Sequence, residues 1–128
     1  QDRTTKTPIR IRLRRVYDPP AADEGLRILV DRIWPRGMSK ERAHVDLWLR
    51  DVAPSDDLRR WFGHDPERWQ AFQERYRQEL EVDPARLAPL LEAIQRGPVT
   101  LLYSARDEQH NQAVALKAIV EEHLRRQQ

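Results

Sequence analysis

Four short apolar runs, spaced by helix-period stripes and turn residues, constrain this chain more than any other feature. Ile9, Ile11 and Leu13 alternate with arginines, the period of a strand with one buried face. Leu26 to Trp34 holds the uninterrupted run Ile28-Leu29-Val30, and Val99-Thr100-Leu101-Leu102-Tyr103 is the clearest buried strand. Both read as strands buried on two faces. Val45, Leu47 and Leu49 alternate as a further short strand. Strands separated by helices, closing on a β-turn-α unit, predict an α/β fold: a mainly parallel sheet flanked by helices, in one three-layer domain. The domain is expected over 9–128, behind a loose leader over 1–8 that ends at Pro8.

Punctuation between the runs supports this. Asp18-Pro19-Pro20 and Gly25 bracket a turn, Pro35 and Gly37 stop the second strand, and Ser39 caps one helical turn. Pro54-Ser55-Asp56-Asp57 opens a helix carrying Leu58, Trp61 and Phe62, which Gly63 ends. Asp65-Pro66 and Asp83-Pro84 each place a capping side chain before a proline suited to the first helical position. Behind them, Trp69, Phe72, Tyr76 and Leu80 form one amphipathic stripe, and Leu87, Leu90, Leu91 and Ile94 form another, ended by Gly97-Pro98. A last helix is predicted from Glu108 to about Arg126, with Ala113, Leu116, Val120 and Leu124 inward.

At 128 residues with 39% hydrophobic content, the chain can bury one core. It has no run near the ~20 apolar residues of a membrane span and no signal-peptide pattern. With no cysteine, it has neither disulfide nor thiolate chemistry, and a cytoplasmic location is expected. The net charge of +2 conceals an asymmetry: six basic side chains against Asp2 fall in residues 1–15. Of 23 basic residues, 20 are arginine, a side chain suited to bidentate anion contacts, although genome composition can produce the same bias.

Open parallel sheets bind ligands beyond the carboxyl ends of their strands. Asp31-Arg32-Ile33-Trp34-Pro35-Arg36-Gly37 leaves one strand, and Ser104-Ala105-Arg106-Asp107 leaves another. If those strands are parallel neighbours, Arg32, Arg36 and Arg106 meet in one crevice near the start of the last helix, a setting for phosphate or carboxylate. In this reading Asp31 orients Arg32, while Trp34 can stack on a ring. Tyr103 points either to the core or to the crevice, and Asn111 orients a ligand or a loop. His110 and Asp107 form a candidate acid–base pair. The bland alternative is that Asp31–Arg32 and Arg106–Asp107 are ion pairs and that Ser104 or Asp107 caps the helix. His64 is a weaker candidate, and pairing it with His110 lacks a third metal ligand, so no metal site is assigned. Trp48, Trp61 and Trp69 fit the core. The chain has no phosphate-binding glycine loop, nucleophile elbow or zinc-protease motif, and no cofactor is specified.

Several blocks together resemble a known family: Val16-Tyr17-Asp18-Pro19-Pro20, Leu29 through Gly37, Asp46-Leu47-Trp48-Leu49 and Trp61 through Pro66. Arg75-Tyr76 with Glu79-Leu80, and Val99 through Tyr103 followed by Ala105-Arg106-Asp107 and His110-Asn111, continue the match. The chain is similar to the YeaO-like branch of domain-of-unknown-function family 488 over about residues 10–124. The resemblance implies a small cytoplasmic α/β protein without a settled activity. Other branches carry cysteine at the end of the last strand, where this chain has Tyr103, and a Cys-His-Arg-like run where it has His110-Asn111-Gln112. Thiol chemistry therefore does not transfer.

Three functions are compatible with these residues. The first is a crevice for a small phosphorylated or nucleotide-like anion, with catalysis open to His110 and Asp107. The second is nucleic-acid binding through the basic N-terminal segment, where Arg10, Arg12, Arg14 and Arg15 cluster. It is the weaker of the two, because the remaining chain is net acidic and lacks nucleic-acid-binding motifs. The third is a non-catalytic interaction domain, pairing through an edge strand or an exposed tryptophan. No membrane partner is expected, and the oligomeric state is left open.

Overall fold

A computed structural model describes residues 10–127. The leader over 1–8, and Ile9 at the start of the first predicted strand, lie outside the described residues. Four strands form one all-parallel sheet: β1 (Ile11–Arg15), β2 (Leu26–Leu29), β3 (Leu47–Trp48) and β4 (Val99–Tyr103), in the order β1-β4-β2-β3. The last strand in sequence is thus central, paired on one side with β1 and on the other with β2. All five of its residues are buried, four of them apolar and the fifth, Thr100, donating its hydroxyl to the Glu24 carbonyl at 2.7 Å.

Side-chain alternation divides the core. Ile28, Val30, Val99, Leu101 and Tyr103 face the larger cluster, which is covered by α2 (Asp56–Phe62), α3 (Trp69–Val82), α4 (Ala88–Arg96) and α5 (Gln112–Arg126). Leu29 and Leu102 face the other way with Val16, under the one-turn helix α1 (Lys40–Ala43) and the chain around Met38. The α/β reading holds, with unequal layers: four helices on one face, one turn and loops on the other. That thin face is completed by a buried polar knot. Glu24 receives Arg14 Nε at 2.9 Å and the Arg27 guanidinium, which also donates to the carbonyls of His44 (2.9 Å) and Ala43 (3.0 Å). Burying Arg27 is tolerable because its donors are met.

Caps behave largely as their residues require. Ser39, Ser55 and Asp65 accept backbone N–H bonds at the helical starts that follow them. Four expectations need correction. The second strand ends at Leu29 rather than Trp34, because the chain turns away after Val30 donates its last sheet bond to Leu102. Asp83 makes no side-chain cap bond. The strand near residue 47 is only two residues long, and Leu47 is exposed, while Val45 and Leu49 pack on opposite clusters. The last helix begins at Gln112, not Glu108, because Asp107 Oδ1 accepts from the amides of Gln109 and His110 in a separate turn. Asn111 then supplies the true cap, accepting from Val114.

Candidate functional site

The β2 and β4 exits leave the sheet side by side and in the same direction. Between them opens a cleft of about 740 Å³. Asp31, one residue past the final sheet bond of β2, is 8% exposed and ties the exits together. Its Oδ2 accepts from the Ser104 amide at 3.1 Å and the Ser104 hydroxyl at 2.5 Å, while Oδ1 accepts from Gln112 at the start of α5. Trp48 Nε1 donates to the Asp31 carbonyl at 2.7 Å, adding the β3 edge. From β1, Arg15 donates to the carbonyls of Ala105 (3.0 Å) and Ser104 (3.3 Å). Four strand ends are thereby stitched around one carboxylate and one loop. Burial pushes the Asp31 carboxyl above its usual range, against the downward pull of Ser104, Gln112 and the Arg59 guanidinium.

Five arginines line the cleft: Arg32, Arg36, Arg59, Arg60 and Arg106, against the carboxylates Asp31 and Asp107. Arg32 is not held by Asp31, contrary to the expectation from sequence; it donates to the Pro54 carbonyl at 3.3 Å and lies 3.7 Å from Asp56. Asp56 also accepts from Arg59 at 2.8 Å, and Arg59 Nε is buried without a hydrogen-bond partner among the described residues. No guanidinium hydrogen bond or ion pair of Arg36 or Arg106 occurs among the described residues, and both side chains are exposed. The Arg36 carbonyl accepts from the Tyr17 hydroxyl at 2.9 Å, so the β1 exit loop fixes the loop that carries it. Neither the Asp31–Arg32 nor the Arg106–Asp107 ion pair forms.

The other predicted residues divide. Trp34, Asn111 and the weaker candidate His64 line the cleft with Asp31, Arg32, Arg36, Arg106 and Asp107. Trp34 is also anchored, donating from Nε1 to Met38 at 2.7 Å and meeting Trp48 edge-on at 5.4 Å. Asn111 is buried, and its amide donates to the Asp107 carbonyl at 2.9 Å. His110 and Tyr103 do not line the cleft. Tyr103 turns into the larger core, where burial pushes its phenol up. His110 Nδ1 lies 2.9 Å from Asp107 Oδ2, and its ring stands edge-on to Trp69 at 5.3 Å. The Asp107 carboxyl is held below its usual range, first by the Gln109 amide and then by His110. Trp61 and Trp69 are half-buried, and Trp61 is flanked by the guanidinium groups of Arg68 and Arg75.

Sequence reading missed Arg59, Arg60 and the cleft-lining Ile33. The two arginines sit three residues after Asp56 and Asp57, to which they bond, a pattern typical of a solvated helix face. The basic first strand is largely spent internally: Arg12 pairs with Asp23, Arg14 with Glu24, and Arg15 with the β4 exit. Among the described residues no group of three or more His, Asp or Glu stands close enough to hold a metal ion. No described helix is long and apolar enough to cross a membrane.

The profile described as the inactive DUF488-N3 subclade matches residues 10–128. An uncharacterised protein of Mycobacterium tuberculosis is 42% identical over 111 residues, covering 87% of this chain and 93% of that protein. The uncharacterised protein YeaO of Escherichia coli is 39% identical over 106 residues, covering 83% and 92%. No solved structure matches the chain significantly.

Proposed function

This chain belongs to the DUF488 family, in its inactive N3 subclade, and from that premise we propose that it binds a small phosphorylated or nucleotide-like anion without transforming it, in the cytoplasm. The observation that carries the reading is the placement of Arg36 and Arg106. They stand on two different strand exits, line one cleft, and have no guanidinium partner among the described residues. Guanidinium forks left open in a recessed, positively charged site attract phosphate or carboxylate, and low-dielectric walls strengthen that attraction. The unpartnered Arg59 Nε adds a donor that an anion would satisfy.

Binding is favoured over catalysis by the same geometry. Tyr103, where the resemblance implies a cysteine in other branches of the family, is a buried tyrosine. The His110–Asp107 pair, the candidate acid and base, shapes the turn before α5, with His110 outside the cleft lining.

The test is ligand-induced thermal stabilisation with adenosine 5′-monophosphate as probe. A ligand at about 100 times its Kd stabilises the native state by about 2.7 kcal/mol. Arg36→Ala and Arg106→Ala should each abolish most of that shift, whereas Arg12→Ala on β1 should keep it. Equal shifts in all three variants and the parent, or no shift in the parent, would refute the reading.

A further inference from the structure

We infer that the occupant is an amphiphilic anion: a flat, apolar-faced ring bearing one phosphate or carboxylate group, in the class of aryl phosphates and nucleoside monophosphates. This rests on the anion-cleft reading and adds what the rest of the ligand must be. At about 740 Å³ the cleft falls within the range of sites that enclose whole organic molecules, far more than a bare phosphate fills. Its walls are not uniformly polar. Phe62 and Phe72, stacked at 4.3 Å with their planes 19° apart, back the α2–α3 side as core residues only 5% and 1% exposed. Ala53, Pro54 and, on the β4 exit, Ala105 also line the cleft.

Ile33 offers the most accessible apolar side chain in the cleft lining. It sits on the loop between Arg32 and Arg36, lines the cleft, is 63% exposed, and belongs to neither core cluster. A lone exposed apolar side chain is ordinary on a protein surface. In a cleft that Arg32 and Arg36 of the same loop also line, it supplies an apolar contact for the ligand beyond its charged group. Guanidinium planes also stack on ring faces, so the same arginines serve both halves of such a ligand. Inorganic phosphate would use the charges and leave the apolar wall wet.

The experiment is calorimetric titration of the whole chain with inorganic phosphate and with phenyl phosphate, matched for charge by choice of pH. Burying one face of a phenyl ring is expected to make phenyl phosphate at least about tenfold tighter. Ile33→Ser, chosen because the side chain lies outside both core clusters, should compress the ratio to below about threefold by the same reasoning. Val82→Ser, at a still more exposed apolar site on α3 outside the cleft, should leave the ratio as in the parent. A ratio near one in the parent, or a parental ratio in Ile33→Ser, overturns the inference while the anion site stands. If neither ligand binds, or if Arg106→Gln leaves both affinities unchanged, the cleft reading itself fails and takes the inference with it.

Discussion

Replacing Asp31 with alanine should loosen the sheet end that builds the cleft. The carboxylate accepts three hydrogen bonds, two from Ser104 and one from Gln112. Bonds to a charged acceptor contribute about 1.5–3 kcal/mol each, giving a gross loss of roughly 5–9 kcal/mol. Two corrections reduce it. The Ser104 hydroxyl and the Gln112 amide can rotate toward cleft water, leaving only the Ser104 backbone N–H fixed, and removing a buried charge returns part of its desolvation cost. The net expectation is about 2–4 kcal/mol, a fall in Tm on the order of 10 °C for a chain of this size. Asp31→Asn should recover at least half, because its carbonyl can accept from Ser104 while the Gln112 amide flips to accept from the new NH₂ group. The assay is urea denaturation followed by circular dichroism, with amide exchange at Ser104 as the local readout.

The pH dependence has a definite sign. Burial raises the Asp31 pKa in the folded state, so the folded chain holds that proton more tightly than the unfolded chain. Its ionised form therefore subtracts stability at high pH, and the subtraction is relieved as pH falls through the folded value toward the unfolded value near 4. The depressed carboxylates Asp23, Asp56 and Asp107 act oppositely, with their contributions lost only as pH falls below the ordinary range. Parent stability minus Asp31→Asn stability should thus rise as pH falls toward 4. An Asp31→Ala variant within about 0.5 kcal/mol of the parent, the range of an ordinary surface substitution, would refute the role of Asp31 in tying the exits together.

Other predictions concern the frame around the cleft. Glu24→Ala leaves Arg27 buried without its carboxylate and should cost about 3–5 kcal/mol by denaturant titration; replacing both residues with leucine should cost much less. Gly25→Ala and Gly37→Ala separate two effects in the same assay. Both positions have positive φ (+69° and +78°), a cost of about 1–2 kcal/mol for alanine. At Gly25 the added Cβ would also fall 2.3 Å from the Pro98 carbonyl oxygen, whereas nothing lies within 4 Å at Gly37. Gly25→Ala should therefore be clearly the more damaging, and equal losses would contradict the packing described.

Much of the frame was legible because local chemistry and tertiary demand coincide. β4 reads as a buried strand since a run in which only Thr100 is polar suits a strand covered on both faces, and it proves to be paired on both edges as well. Ser55 and Asp65 read as helix starts for the reason they are: their side chains meet orphan amides. What was illegible depends on who stands opposite. Asp31 looked like a partner for adjacent Arg32, but a residue one step past the strand takes its bonds from the neighbouring exit, 73 positions away at Ser104. Glu108 to Asn111 read as a first helical turn that Ser104 or Asp107 could cap, yet Asp107 closes a turn of its own and the cap of α5 is Asn111. Arg59 and Arg60 carry ordinary helix-surface spacing; only the packing of α2 beside the strand exits brings them to the cleft.

The most direct test of the account is a ¹⁵N–¹H correlation titration of the chain with phenyl phosphate. The account predicts concentration-dependent shifts clustered in Asp31 through Met38 and Ser104 through Gln112, with the Arg36 and Arg106 side-chain Nε signals among the largest. Shifts gathered instead on Arg10 through Arg15, or an unchanged spectrum, would contradict it.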